Sequence, residues 1–185
     1  MNAFPVLATE RLILREIISE DTPEVFGIFS DPKVMLYYDT EALTEPKQAL
    51  EVIARFTDRH HKELGIRWGI TLKQSGKVLG TCGLIWKPHN HSAVLGYDLA
   101  AGFWGKGIMA EALKPVLTYA FDHEVNRVEA MTHLANTASQ KVLTRLGFRA
   151  EGILRDYFYF KGKFFDLNCF SLLRTDLETK SLKPG

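Results

Sequence analysis

The sequence predicts an α/β (α+β) fold: a mixed, mostly antiparallel sheet of about seven strands with about four flanking helices. Three observations carry this. Residues 66–100 hold three β-rich runs whose connections are too short for helical crossovers, so these strands pair antiparallel. Residues 105–147 then alternate helix, strand and helix. Two long β-rich runs follow at 150–160 and 164–173, which adds strands to a sheet already carrying helices.

Element by element, Arg11–Ile17 is a first strand, mostly apolar around Leu12, Ile13 and Leu14. Asp21-Thr22-Pro23-Glu24 reads as a helix start, with a capping side chain, proline in the first turn and acid near the positive end of the dipole. That helix ends near Ser30, because Pro32 restricts the residue before it. A longer helix follows Thr44 through Ala49, Val52, Ile53 and Phe56, stopping near Gly65. Its end carries His60-His61, where a cation suits the dipole. Ile66–Leu72 and Lys77–Trp86 form a hairpin about Gln74-Ser75-Gly76, and Lys87-Pro88-His89-Asn90 turns into a strand at Ala93–Ala100. Met109, Leu113, Val116, Leu117, Ala120 and Phe121 recur at helical spacing up to a break at Asn126. Arg127–Leu134 is a strand. Asn136–Leu146 is a helix closed by Gly147, a left-handed cap candidate. Ala150–Phe160 and Phe164–Leu173 join through Lys161-Gly162-Lys163.

Composition sets the class. The chain has 185 residues, 46% hydrophobic and 24% charged, as an ordinary soluble protein has. With 23 basic and 22 acidic side chains the net charge is +1, which excludes bulk-charge nucleic-acid binding and dominant disorder. Residues 102–163 nevertheless carry nine basic against six acidic side chains, an excess that suits an anionic ligand. No apolar run approaches a membrane span of about 20 residues, and the first residues do not read as a signal peptide. Cys82 and Cys169 lie far apart in apolar surroundings, so the expected compartment is the reducing cytoplasm. His89 and His91 flank a turn without a convincing third ligand, so no metal is expected.

The most informative segment runs from Asp98 through Gly102-Phe103-Trp104-Gly105-Lys106-Gly107 into a helix. A helix start offers unpaired N–H groups and partial positive charge, and glycines let a phosphate approach them. The N–H groups of Gly105, Lys106, Gly107, Ile108 and Met109 form the candidate cradle; a ligand-free glycine turn is the competing reading. No Ser or Thr follows the lysine, so this is not a nucleotide P-loop. Farther on, Asn136-Thr137-Ala138-Ser139 leaves a strand and opens a helix, where Asn136 suits an N-cap.

Taken together, Thr9-Glu10-Arg11-Leu12-Ile13-Leu14-Arg15, Leu95-Gly96-Tyr97-Asp98-Leu99, Phe103-Trp104-Gly105-Lys106-Gly107 with Glu111-Ala112, Asn136-Thr137-Ala138-Ser139, Leu146-Gly147-Phe148 and Glu151-Gly152-Ile153-Leu154-Arg155 resemble the GNAT superfamily of acyl-CoA-dependent N-acyltransferases. The likeness is closest to its RimJ/RimL-like branch of ribosomal-protein N-terminal acetyltransferases. It covers Thr9 to about Arg174, so residues 1–185 are read as one domain. Gly102 departs from the loop pattern, which usually has Gln or Arg there.

The resemblance implies that two central strands, ending near Leu99 and Leu134, splay apart and receive the pantetheine arm of acetyl-CoA. Tyr97, Asp98 and Leu99 would lie along that arm, and Trp104 to Met109 would hold the pyrophosphate. Asn136, Ser139 and the face around Leu143 would line the other side. The implied reaction is direct attack of a primary amine on the thioester, with a strand N–H near Leu99 as oxyanion donor. Many relatives protonate the leaving thiolate with a tyrosine, but Leu143 occupies that position; the branch points to Ser139 instead. Asp98 and His133 are the candidate bases, with Glu129 beside them, while Glu111 reads as a structural contact. Alternation puts Glu129, Met131 and His133 on one face of their strand.

Val34–Asp39 resembles the branch's substrate-side loop, so Tyr37 and Tyr38 are candidate acceptor contacts. The run Tyr157-Phe158-Tyr159-Phe160 suits an acceptor site or a homodimer interface. The expected partners are acetyl-CoA and an amine acceptor, either a protein N-terminus or a small amine, with no nucleic acid and no membrane. A non-catalytic acyl-CoA-binding module is the reading from another class.

Overall fold

The computed structural model describes residues 3–181 apart from Asp39 and Lys161, so the ends of two sequence expectations, the Val34–Asp39 loop and the turn opening at Lys161, lie outside the described residues. One sheet contains β1 (Leu7–Ala8), β2 (Leu12–Arg15), β3 (Gly65–Leu72), β4 (Val78–Lys87), β5 (Ser92–Leu99), β6 (Arg127–His133), β7 (Arg149–Phe160) and β8 (Lys163–Leu173). Among the described residues the α-helices are α1 (Thr22–Phe29), α2 (Pro46–His61), α3 (Ile108–Asp122), α4 (Thr137–Leu146) and α5 (Arg174–Ser181). The spatial order is β1-β2-β3-β4-β5-β6-β8-β7. Every neighbouring pair is antiparallel except β5 with β6.

The expected mixed, mostly antiparallel sheet is present, with eight strands instead of about seven and one further helix. β1 is two residues long, too short to show alternation. α5 follows β8 directly, with no glycine or proline to mark the change.

The sheet separates two apolar layers. On one side Trp68, Leu84, Leu95, Val128 and Ala130 pack with Leu113, Val116 and Leu117 of α3 and Leu143 of α4. On the other, Val25, Ile28 and Phe29 of α1 meet Val52 and Ile53 of α2 over Ile17 and Val78. Each fully buried Leu, Val or Ile contributes about 1.5–3 kcal/mol relative to exposure.

Two boundary expectations change. Asp21 stands at the start of α1 but does not cap it: its carboxylate accepts from Arg15 Nη1 and Nη2, each at 2.7 Å, and from the Ile18 N–H. The ion pair with a neighbouring strand outcompetes the local cap. α2 ends at His61, where Glu63 turns left-handed (φ 55°), and Gly65 already opens β3.

β5 and β6 pair only at Ser92↔Arg127, Ala93↔Val128 and Val94↔Glu129. Beyond that seam the strands part, as the splayed central pair requires.

Candidate active site

The gap between β5 and β6 positions everything else. Ala100 N–H donates to Leu79 C=O at 2.9 Å, which fixes the phase of the β4–β5 ladder. Alternate residues of an antiparallel strand bond to opposite neighbours, so Leu95, Tyr97 and Leu99 turn their backbone groups away from β4; Leu95 closes the seam with β6, and Tyr97 and Leu99, beyond it, face the gap. The Leu99 carbonyl accepts from Trp104 Nε1 at 2.7 Å. Side-chain alternation divides the two faces. Tyr97 and Thr132 share the α3–α4 face, while Asp98 and His133 share the face of α1 and α2.

The loop after β5 follows the expected strand–loop–helix order. Gly105 and Gly107 both lie at φ 73°. A Cβ at Gly105 would meet nothing within 4 Å and one at Gly107 only Arg11 Nη2 at 3.8 Å, so backbone conformation, not crowding, calls for glycine. The first amides of α3, at Ile108, Met109 and Ala110, have no intrahelical carbonyl to bond. Lys106 Nζ donates to the Gly102 carbonyl at 2.8 Å, and its ammonium lies over the Phe103 ring. Glu111 is a strut, as its sequence reading has it. It accepts from Thr9 Oγ1 at 2.5 Å, Arg11 N at 2.9 Å and Arg11 Nε at 2.6 Å, while Arg11 Nη2 reaches the Lys106 carbonyl. Burial acts to raise the Glu111 pKa, but these donors outweigh it and lower it.

Across the gap, Asn136 Oδ1 accepts from the Ser139 N–H at 3.1 Å and caps α4. Ser139 Oγ lies 2.7 Å from the Tyr97 hydroxyl, which also reaches the Ser139 carbonyl. Burial pushes the Tyr97 pKa up to about 12, against the lowering effect of the Ser139 bond. Leu143 is wholly buried in the core. Thr132 Oγ1 is buried without a hydrogen-bond partner among the described residues. It lies on the stretch of β6 that has left β5, on the side of Tyr97. A buried hydroxyl without a partner is costly, and an amide-bearing ligand in the gap would supply one.

On the other face, Asp98 is not a free carboxylate. Its side chain is 1% exposed and accepts from Arg67 Nη2 at 2.5 Å, Tyr38 OH at 3.0 Å, Thr81 Oγ1 at 2.7 Å and Thr81 N at 3.0 Å. Arg67 also donates to Thr81 Oγ1 and lies over Phe56. Burial opposes its charge, yet Tyr38 and Asp98 hold the Arg67 pKa above its ordinary value. Gly96 makes room for it, since a Cβ there would come within 3.2 Å of Arg67 Nη1. Sequence reading passed over Arg67, although an arginine between Ile66 and Trp68 in an apolar strand is itself a signal of a buried partner.

Tyr37 and Tyr38 straddle the parted strands. Tyr38 bonds to Asp98 of β5, and Tyr37 stacks on His133 of β6 at 5.2 Å between ring centroids. His133 Nδ1 accepts the Ala135 N–H at 3.1 Å, and Phe165 meets the ring edge-on at 5.4 Å. In a neutral ring so arranged Nε2 carries the hydrogen, and the one in-plane lone pair, on Nδ1, is committed to Ala135, which opposes the role of base. Glu129 lies between Arg127 Nε at 2.9 Å and Lys87 Nζ at 3.2 Å. Arg127 also pairs with Glu151, whose hydrogen bonds from Arg127 and then Ser171 lower its pKa to about 2.

Tyr157, Tyr159 and Phe164 are exposed on the β7–β8 hairpin. Cys82 and Cys169 are unbridged, with the buried Cys82 thiol pushed up to about 12. Among the described residues no group of three or more His, Cys, Asp or Glu side chains is arranged for a metal. No described helix is long and apolar enough to cross a membrane.

Comparison with known proteins adds four findings. Residues 11–149 match the family model of the acetyltransferase (GNAT) domain. The chain is 34% identical over 173 residues to the uncharacterized N-acetyltransferase YoaA of Bacillus subtilis, covering 92% of this chain and 98% of that protein. It is 24% identical over 186 residues to the ribosomal protein uS5-alanine N-acetyltransferase of Escherichia coli, covering 97% and 93%. In fold it is similar to the microcin C7 self-immunity acetyltransferase MccE, solved in complex with acetyl-CoA and AMP, with a TM-score of 0.81, 22% identity and coverage of 89% and 93%.

Proposed function

Because the chain belongs to the GNAT acetyltransferase family, we propose that it transfers the acetyl group of acetyl-CoA to a primary amine by direct attack, the acceptor being the α-amine of a protein N-terminus. The observation that carries this is the parting of β5 from β6 beyond Val94 and Glu129. It leaves strand amides facing a gap that ends at a glycine loop and a helix start, and buried backbone groups need partners. The orphan hydroxyl of Thr132 supports an amide-bearing occupant. Likeness to the uS5-alanine enzyme supports the N-terminal acceptor.

Acetyl-CoA, when bound, supplies the activated carbonyl carbon. We assign its pyrophosphate to the N–H groups of Gly105–Met109 and its pantetheine to the gap beside Tyr97, Leu99, Thr132, Asn136 and Ser139. Leu99 N–H, turned into the gap, is the hydrogen-bond donor for a carbonyl oxygen. Ser139 Oγ is the hydroxyl that hydrogen-bonds the leaving thiolate and relays a proton to it, solvent restoring the serine proton, and Tyr97 orients it. Asp98, Glu129 and His133 have their acceptor sites engaged, so we read the acceptor amine as losing its proton to solvent. Tyr37 and Tyr38 form the acceptor's entrance, and the exposed hairpin aromatics suit a second copy of the chain. The compartment we assign is the cytoplasm.

A small amine is the second reading. Asp98 and Glu129, on the strand face that carries His133, and Glu151 beside them are each ion-paired to arginine or lysine, which disfavours a polycationic acceptor. Thiol release from acetyl-CoA, measured with N-terminal peptides and with small amines, tests the proposal. Release with peptides is the expected result; release only with small amines overturns the acceptor, and tight CoA binding without release to any amine overturns the enzyme.

A further inference from the structure

We propose that His133 reads the carbonyl oxygen next to the acceptor's amine, as a hydrogen-bond donor through Nε2–H. This rests on the amine-acetyltransferase reading above and names the class of acceptor: α-amino carbonyl compounds such as peptide N-termini, in preference to plain alkyl amines.

His133 Nδ1 accepts the backbone N–H of Ala135, so Nδ1 carries a lone pair and the neutral ring carries its hydrogen on Nε2. Rotation is pinned from two sides, by the stacked Tyr37 ring at 5.2 Å and the edge-on Phe165 ring at 5.4 Å. Nε2 has no hydrogen-bond partner among the described residues, and the ring is only partly buried. A donor held at fixed orientation with no described protein group to accept from it is open to a ligand's acceptor, and a ligand that displaces water there without supplying one leaves the donor unpaired, which costs binding.

Its position says what it recognises. His133 ends β6, on the stretch that has parted from β5, and shares its face with Asp98 and Tyr38. Tyr37 and Tyr38 bridge the two strands there. An amine entering from this face meets the gap at the point where the donor stands. In an α-amino carbonyl compound the oxygen lies within about 4 Å of the amine nitrogen by covalent geometry alone. An alkyl amine has no acceptor atom at that place. Asp98 cannot do the same work, since it is saturated by Arg67, Tyr38 and Thr81 and is itself an acceptor.

The experiment uses the full chain and a matched pair of acceptors: a short alanine-initiated peptide and the same peptide with its first amide replaced by an alkene, which removes the carbonyl. Wild type should favour the peptide in kcat/KM by about 3- to 10-fold, the worth of one neutral hydrogen bond. His133→Phe keeps a ring against Tyr37 and removes the donor; it should erase that preference, chiefly through KM for the peptide. His133→Gln returns an N–H near the Nε2 position and should restore part of it. Two-bond proton–nitrogen NMR of wild type should show the neutral ring protonated on Nε2, whether or not the variants fold. A ring protonated on Nδ1 overturns the inference. So does an equal loss on both acceptors in His133→Phe, or a wild type that does not distinguish them. Turnover of small amines but neither peptide overturns the N-terminal acceptor together with this inference. Turnover of neither class, with acetyl-CoA bound, overturns the enzymatic reading and the inference with it.

Discussion

The hydroxyls of Tyr97 on β5 and Ser139 on α4 lie 2.7 Å apart, joining the two sides of the sheet's central gap. The cap on α4 uses the Ser139 backbone N–H, not its side chain. Ser139→Ala therefore removes the hydroxyl and leaves the cap. Turnover should fall about 100-fold, within the range for loss of a general acid, with acetyl-CoA affinity nearly unchanged. Steady-state kinetics beside a CoA titration checks both; unchanged turnover removes Ser139 from the chemistry.

Thr132 offers a different signature. Valine matches its shape and lacks the orphan hydroxyl, so Thr132→Val should raise the stability of the ligand-free protein by about 1 kcal/mol. CoA affinity should fall about 3- to 10-fold at the same time, if the hydroxyl finds its partner on the ligand. Thermal unfolding and calorimetric titration read the two effects separately. Unchanged CoA affinity would falsify the assignment of Thr132.

The cofactor loop depends on left-handed backbone. Gly107→Ala should cost about 1–2 kcal/mol, the penalty for a side chain in that conformation. KM for acetyl-CoA should rise while kcat changes little, because the substitution disturbs the cradle and not the reacting groups. A variant with wild-type KM would show that the loop does not depend on this geometry.

Asp98 and Arg67 should behave as a buried pair. Asp98→Ala leaves an uncompensated guanidinium and should destabilise by about 3–5 kcal/mol in urea unfolding. Adding Arg67→Met should recover part of that loss, so that the double variant is more stable than the two single effects would sum to. Strict additivity would mean that the two side chains do not interact.

Acid should loosen the β6–β8–β7 side. Glu151 has a folded pKa of about 2, lowered by its bonds from Arg127 and Ser171, against an unfolded value of about 4.3. A depressed folded pKa gives stability that is present above the unfolded value and lost as pH falls from about 4.3 towards 2. Glu129 and Glu111 are lowered too and act in the same direction. Urea unfolding at pH 5 and pH 3 should show the loss in wild type and less of it in Glu151→Gln. An equal slope in both would place the acid sensitivity elsewhere.

Much of the frame was legible in local pattern. The turns at Gln74-Ser75-Gly76 and Pro88-His89-Asn90 and the spacing of Met109 to Phe121 place β3, β4, β5 and α3 to within a few residues. What stayed hidden depends on contacts distant in sequence. Asp21 carries the signature of a cap and serves an ion pair with Arg15. Asp98 carries the chemistry of a base and is saturated by Arg67 and Tyr38, 31 and 60 residues away in the chain. Alternation grouped Glu129, Met131 and His133 on one face, but only the register Val94↔Glu129 reveals that Asp98 shares it. No spacing rule announces the Ala135 bond that fixes the His133 proton.

The short pairing from Ser92 to Val94 against Arg127 to Glu129 has a mechanical consequence. The sheet is two stiff plates welded along a brief seam, with the clasp of Tyr97 on Ser139 some distance beyond it. Rotation of one plate against the other is the softest motion such a body has. A molecule that bonds to both edges acts as a splint and stiffens residues far from any it touches. Hydrogen exchange should therefore slow together in the inner strands of both plates when CoA binds, and heat should unfold the splinted protein in a sharper transition.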